Sequence, residues 1–192
     1  MLKNNIILMM GIAGTGKMTI GEAIVKQNPN FKLVTPDLAM EPVLKLLGDD
    51  ADVMWSLNEK GWNAINQALD VVLYTIAEVC PKDSNFVITS EMLANNPYHQ
   101  NYFERIQQAA RKRGANLTPI RITCELDELL NRVQNNSRLN YFKTRDVELI
   151  KKRFKDEKVF FSKLPNELTL DVTQLSPESS ATKIIEWIAQ HQ

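Results

Sequence analysis

Asn5-Ile6-Ile7-Leu8-Met9-Met10-Gly11-Ile12-Ala13-Gly14-Thr15-Gly16-Lys17-Met18-Thr19 is the stretch from which the rest of the chain is read. Ile6 to Met10 is an unbroken apolar run that stops at Gly11. Gly14, Gly16 and Lys17 follow, and an amphipathic segment carrying Ile20, Ala23 and Ile24 begins at once. An apolar run bounded by glycine suits a strand buried on both faces, and the spacing behind it suits a helix. The order is therefore strand, glycine-rich turn, helix start. Glycines let backbone N–H groups wrap an anion, a helix N-terminus adds positive potential, and a lysine adds a full charge. Such a turn is built to hold a phosphate chain.

The spacing from Gly11 to Gly16-Lys17 is that of a Walker A loop, G-x-x-x-x-G-K. The motif continues with a Ser or Thr whose hydroxyl holds magnesium; here Met18 stands there, with Thr19 behind it. Gly11, Ala13, Gly14, Thr15, Gly16, Lys17, Met18 and Thr19 are the expected nucleotide contacts. Lys17 would bridge the β- and γ-phosphates, backbone donors from Gly14 to Thr19 would cradle the β-phosphate, and the Thr19 hydroxyl would meet the α-phosphate.

Length and composition narrow the classes. The chain has 192 residues, enough for one domain with a full core, and 23 basic side chains balance 23 acidic ones. A balanced charge argues against nucleic acid or a membrane surface as the main partner. The short basic runs Arg111-Lys112-Arg113 and Lys151-Lys152-Arg153 read as solvated helix faces. Cys80 and Cys124 form no metal-binding pattern and read as reduced thiols of a cytosolic protein. Lys3, the Ile6–Met10 run and the small residues behind it loosely mimic a secretory signal. That apolar stretch is very short, however, and cleavage there would cut the phosphate loop, so a cytoplasmic location is expected. No run approaches the ~18 apolar residues of a membrane span.

Along the chain, the first helix is expected to end at Asn28-Pro29-Asn30. A short strand at Phe31–Val34 follows, then Thr35-Pro36-Asp37 and a helix from Leu38 with an apolar face of Leu38, Val43, Leu44, Leu46 and Leu47, closed by Gly48. Ser56-x-x-Glu59 reads as a capping box. Trp62, Ile65, Leu69, Val72, Ile76 and Val79 recur at steps of three and four, a stripe expected on the core, although a dimer seam would use the same pattern. Both a monomer and a homodimer are compatible with it. Phe86–Thr89 and Leu117–Cys124 are strands, and Pro97 opens the helix between them. Glu125 to about Gln134 is helical, and residues 135–146 carry Arg138, Lys143 and Arg145 without an apolar stripe. Helix returns from Asp146 to Lys163, Leu168–Val172 is the fifth strand, and Ser176-Pro177-Glu178 caps a last helix. Strands alternating with helices imply an α/β fold, a parallel sheet covered on both faces.

With these pieces in place the chain resembles the P-loop small-molecule kinases, the shikimate, gluconate and nucleoside-monophosphate kinase group, over nearly its whole length. Gly11–Thr19 carries the resemblance first, then Asp37 after the second strand. The third piece is Cys124-Glu-Leu-Asp-Glu-Leu-Leu-Asn-Arg132, and the fourth Leu168-Thr-Leu-Asp171-Val-Thr173. The resemblance implies a three-layer α/β/α domain with a five-stranded sheet in the order 2-3-1-4-5, a basic lid at about 135–146 and an acceptor-binding segment at about 37–62. It implies ATP as phosphoryl donor, Mg2+ and a small-molecule acceptor, hydroxylated or phosphorylated. Two positions depart from the group: Met18, and Ile88-Thr89-Ser90-Glu91, where the group often has Asp at the end of strand three.

By that resemblance Asp37 would bind the acceptor hydroxyl, take its proton or orient a magnesium-bound water; it also suits a plain helix N-cap. Glu91 would be the second acidic partner of the metal or line the acceptor site; a surface acid is the other reading. Arg138 and Arg145 would swing over the triphosphate, with Lys143 as helper, or belong to a solvated loop. Arg132 would face the site or form a structural ion pair. Thr173 would border the adenine. His99 would lie beside the acceptor or be a satisfied surface residue, Trp55 would lie beside the acceptor or serve packing, and Trp62 reads as core. Two other functions fit the same residues: a nucleotide-binding regulator with weak or lost catalysis, favoured by Met18, and a toxin- or resistance-type kinase.

Overall fold

The central strand explains the architecture. In the computed structural model, which describes residues 2–48, 56–136, 138 and 144–191, β1 (Asn5–Met10) is buried along its whole length. Successive strand residues point to opposite faces, so Ile7 and Met9 enter one core and Ile6, Leu8 and Met10 the other. A strand apolar on both faces needs a layer on each. α1 (Lys17–Gln27) and α7 (Pro177–Gln190) cover the first face through Ile20, Ile24, Ile184 and Ile188. α3 (Glu59–Tyr74) and α4 (Pro97–Arg113) cover the second through Leu69, Leu73, Phe103 and Ile106. Each such side chain contributes about 1.5–3 kcal/mol on burial.

The sheet holds β2 (Phe31–Val34), β3 (Asn85–Ser90), β1, β4 (Asn116–Thr123) and β5 (Leu168–Asp171), ordered β2-β3-β1-β4-β5. Every pairing is parallel. Met10 lies level with Ser90 of β3 and Arg121 of β4, so the segment leaving β1 emerges between two strand ends. An asparagine ladder fixes this register at the other edge. The Asn5 N–H donates to Asn85 Oδ1 at 2.9 Å, and Asn85 Nδ2 donates to the Leu2 carbonyl at 2.9 Å.

Four expectations need correction. α3 is capped by Asn58, whose side chain accepts from the Gly61 N–H, not by Ser56. Its stripe buries Ile65, Leu69 and Ile76, but Trp62 and Val79 at the two ends are exposed. The turn that follows α3, Thr75–Val79, is π-helical; it buries Ile76 and leaves Val79 off the core face. α2 (Asp37–Leu47) packs mainly through Ala39 and Leu44, leaving Leu38, Leu46 and Leu47 in solvent. α6 (Val147–Asp156) stops well short of Lys163. Glu157 is extended, and the chain behind it runs antiparallel to residues 92–94: Ala94 N–H donates to the Lys158 carbonyl at 2.8 Å, and Phe160 N–H to the Met92 carbonyl at 3.0 Å. Backbone pairing there replaces the helical bonds that the sequence pattern suggests. α5 (Leu126–Val133) agrees with expectation.

Arg113 was read as part of a solvated run and is instead buried. Its guanidinium donates to the carbonyls of Ile76, Cys80, Pro81 and Ser84, collecting acceptors left open where the π-helical turn ends. Among the described residues no helix is long and apolar enough to cross a membrane.

Candidate functional site

The turn after β1 needs its glycines for two reasons. Gly14 and Gly16 have φ of +97° and +88°, the left-handed region. At Gly11 a Cβ would lie 2.7 Å from the Ile122 carbonyl oxygen and 2.9 Å from Thr15 Oγ1, so the loop can pass close to β4 only without a side chain. Gly16 is the N-cap of α1, and no side chain caps that helix. The Lys17 ammonium folds back over the loop, donating to the Gly11 and Ile12 carbonyls at 2.8 and 2.9 Å and to Thr15 Oγ1 at 3.3 Å. Thr15 is buried and donates to the Ile12 carbonyl, Met18 and Ala13 are half-buried, and Thr19 is exposed in the first turn of α1. The result is a glycine turn running into an uncapped helix start, with the Lys17 ammonium folded over it.

Glu91, one residue past β3, joins the loop to α6. Its Oε1 accepts the Ala13 N–H at 3.3 Å, and one Nη of Arg153 lies 3.0 and 2.9 Å from its two oxygens. Arg153 therefore faces inward, correcting the reading of 151–153 as a wholly solvated face. Ile150, one turn earlier, is the buried residue of α6, and Arg153 lies on the same side of the helix. His99 stands in the first turn of α4. Its Nδ1 accepts the Leu93 N–H at 2.9 Å, which leaves the ring proton on Nε2. Burial holds its pKa below the usual imidazole value, against the pull of Glu91 and Glu157. Asp37 is the first residue of α2, after the cap position Pro36, and no side-chain cap bond is made there.

On the other side of the loop, Arg132 ties three pieces together. It pairs with Glu128 at 2.7 Å, donates to the Val172 carbonyl at 2.8 Å and reaches the Thr15 carbonyl at 3.5 Å. The structural ion pair left open for it is made, and the same guanidinium also reaches the loop backbone at Thr15. Arg138 donates to the Thr144 carbonyl at 3.1 and 2.9 Å, and Arg145 to the Gln134 carbonyl at 2.8 Å. Burial lowers the Arg138 pKa, with Glu91 opposing and Arg145 adding to that shift. Thr173 Oγ1 accepts the Glu125 N–H at 2.9 Å, joining the chain after β5 to the chain after β4. A cavity of about 190 Å³ opens between the loop and α6, lined by Ile12, Thr15, Cys124, Leu129, Phe154 and Glu157. Trp55 and Lys143 lie outside the described residues.

Phosphate and metal are matched unequally by these residues. The loop fits a phosphate chain. Among the described residues no three His, Cys, Asp or Glu side chains form a metal-binding group. Asp37 and Glu91 are two carboxylates on separate strand ends, and the second is engaged by Arg153. Magnesium keeps several waters and accepts one or two carboxylates beside substrate phosphates, a mode that these residues can still support.

No family model and no curated protein sequence matches the chain. Solved structures do match, over full length. A candidate kinase from Chloroflexus aurantiacus j-10-fl superposes with a TM-score of 0.63 at 24% identity, covering 100% of this chain and 97% of the other. A gluconokinase from Sinorhizobium meliloti 1021 gives 0.58 at 15% identity, covering 100% and 99%. Shikimate kinase from Aquifex aeolicus vf5 gives 0.57 at 17%, covering 97% of each. The sheet order and the glycine loop define the P-loop small-molecule kinase fold, which this chain shares with these proteins. At these identities the likeness is one of fold; residue roles are argued from the site itself.

Proposed function

We propose that the protein is an ATP-dependent phosphotransferase that moves the γ-phosphate of ATP to a small hydroxylated or phosphorylated metabolite, as one domain with a basic lid at about 135–146 and an acceptor segment at about 37–62. The observation that carries this reading is the junction at Ala13. The loop at Ala13 is tied by hydrogen bond to Glu91, which is itself ion-paired to Arg153 of α6, so the chain after β1, the end of β3 and α6 meet at one point. Phosphoryl transfer asks for position and charge neutralisation rather than covalent chemistry; the junction supports the first, and Lys17, Arg138 and Arg145 would supply the second.

In this reading Lys17 leaves the loop carbonyls to bridge the β- and γ-phosphates, while the amides from Gly14 to Thr19 hold the β-phosphate. Thr19 meets the α-phosphate, and Thr173 borders the base. Asp37 orients the acceptor hydroxyl and takes its proton. Arg138 and Arg145 release the carbonyls of Thr144 and Gln134 to cover the transferred group. Asp37 and Glu91 would be the acidic side chains that hold magnesium, with no loop hydroxyl at Met18, and the ion would supply charge neutralisation to the transferred phosphate.

A second reading is favoured by one pair of observations. Met18 offers no hydroxyl, and both Glu91 oxygens engage Arg153, which suits a nucleotide-binding regulator with weak or lost catalysis. ATP consumption across sugars, hydroxy acids and nucleoside monophosphates, with magnesium present, separates the two. Turnover with one acceptor class upholds the enzyme, and tight ATP binding without turnover of any upholds the regulator.

A further inference from the structure

On the nucleotide-binding reading above, we propose that Arg153 of α6 is a positioning residue for the loop. It balances the charge of Glu91, so that this carboxylate can hold the Ile12–Ala13 peptide without repelling the phosphates of a bound nucleotide. The observation behind this is that one peptide group is gripped at both ends. Its carbonyl, on Ile12, accepts from the Lys17 ammonium and from Thr15 Oγ1, each at 2.9 Å. Its N–H, on Ala13, donates to Glu91 Oε1 at 3.3 Å, and Arg153 Nη1 lies 3.0 and 2.9 Å from the two oxygens of that carboxylate. Ammonium, peptide dipole, carboxylate and guanidinium thus alternate in sign along one hydrogen-bonded row from Lys17 to α6.

The fold holds each member of the row in place. Ser90 is level with Met10, so Glu91, the next residue, stands beside the segment that leaves β1. Arg153 lies one turn from Ile150, which is fully buried, and the chain behind α6 is pinned to residues 92 and 94 by two backbone hydrogen bonds. The side chains of Arg153 and Glu91 are only 20% and 29% exposed. A pair shielded to that degree is screened less by salt than a surface pair, and removing one partner leaves the other charge without its bonded counter-ion.

The charge on residue 91 is what calls for a cation. A neutral acceptor would hold the Ala13 N–H equally well. A carboxylate there is an internal anion on the backbone of a loop that has to accept phosphate charge, and like charges a few ångströms apart cost affinity. With Arg153 on both oxygens the carboxylate keeps its bond to Ala13 while the pair carries no net charge. Arg153 therefore acts on the loop through Glu91, not by touching the ligand.

Calorimetric titration of ADP into the full chain tests this, without magnesium so that metal binding by Glu91 does not enter. Arg153→Gln should weaken ADP binding about tenfold or more, and Arg153→Lys, which keeps the charge, should stay within about threefold of the parent. Glu91→Gln keeps an acceptor for Ala13 and removes the anion; it should bind ADP about threefold or more tighter than the parent. The double variant Glu91→Gln with Arg153→Gln should return to within about threefold of the parent. A thermal melt of each variant checks folding, and if Arg153→Gln alone fails to fold, Glu91→Gln and the double variant carry the test. A double variant as weak as Arg153→Gln would overturn the proposal, because the guanidinium would then contact the phosphates itself or merely brace the fold. Arg153→Gln within about twofold of the parent, or Glu91→Gln equal to or weaker than the parent, would overturn it too. A parent that does not bind ADP contradicts the nucleotide reading and this role with it, whereas a parent that binds ADP but ignores these charges contradicts this role alone.

Discussion

His99 illustrates how one hydrogen bond sets a residue's chemistry. Its Nδ1 is occupied by the Leu93 N–H, and burial depresses its pKa below that of the unfolded chain. The unfolded chain therefore binds the proton first. Stability from this residue is complete above about pH 6.5 and is lost as pH falls through the depressed folded value. Asn at this position keeps an acceptor for Leu93 and cannot titrate. Thermal melts of His99→Asn should accordingly lose less stability than the parent between about pH 7 and pH 5, whereas parallel losses would show that His99 does not titrate as described. Arg113 makes a second residue-scale prediction. Its guanidinium serves four carbonyls and lies 5.1 Å from the Phe86 ring centroid. Arg113→Met should cost about 3 kcal/mol or more in denaturant unfolding, because the carbonyls stay buried without donors. A loss below about 1 kcal/mol would contradict that role.

At the scale of elements, the segment after α6 behaves as a strap. It pairs with residues 92–94 through two backbone hydrogen bonds, and Phe160 packs against Phe103 with ring centroids 5.0 Å apart. The strap holds the base of α6, and with it Arg153, against Glu91. Phe160→Ala should cost about 2 kcal/mol and speed hydrogen exchange at the Ala94 and Phe160 amides while leaving β1 protected; equal acceleration in β1 would mean global rather than local loosening. This element also shows where sequence reading stops. Helical spacing continues past Asp156, and only a nonlocal partner, the Met92–Ala94 backbone, makes the extended form win. α2 and the ends of α3 failed for a related reason: apolar residues mark a helix face, but how much of that face a neighbour covers is a tertiary matter.

For the whole molecule, what could be read in advance was what periodicity and glycine punctuation encode locally. An apolar run buried on both faces predicted a central parallel strand, and alternating elements predicted a two-sided sheet; both agree with β1 and its neighbours. The glycine-rich turn between β1 and α1 was legible because its glycines answer to backbone geometry, as φ at Gly14 and Gly16 shows. Side chains that meet across the sheet's carboxyl edge were less so. Glu91 and Arg153 are far apart in sequence, and nothing local announces that they pair. The inward turn of Arg153 and the triple role of Arg132 both needed the fold.

The central claim is that Gly11–Thr19 holds the triphosphate of ATP with Lys17 as its cation. Calorimetric titration of ATP with magnesium into the parent and Lys17→Ala tests it most directly, with a thermal melt of each to confirm folding. The account predicts saturable one-to-one binding to the parent and a loss of about tenfold or more in Lys17→Ala, since a charge-assisted contact to phosphate contributes about 1.5–3 kcal/mol. Equal ATP affinity in parent and variant would contradict it.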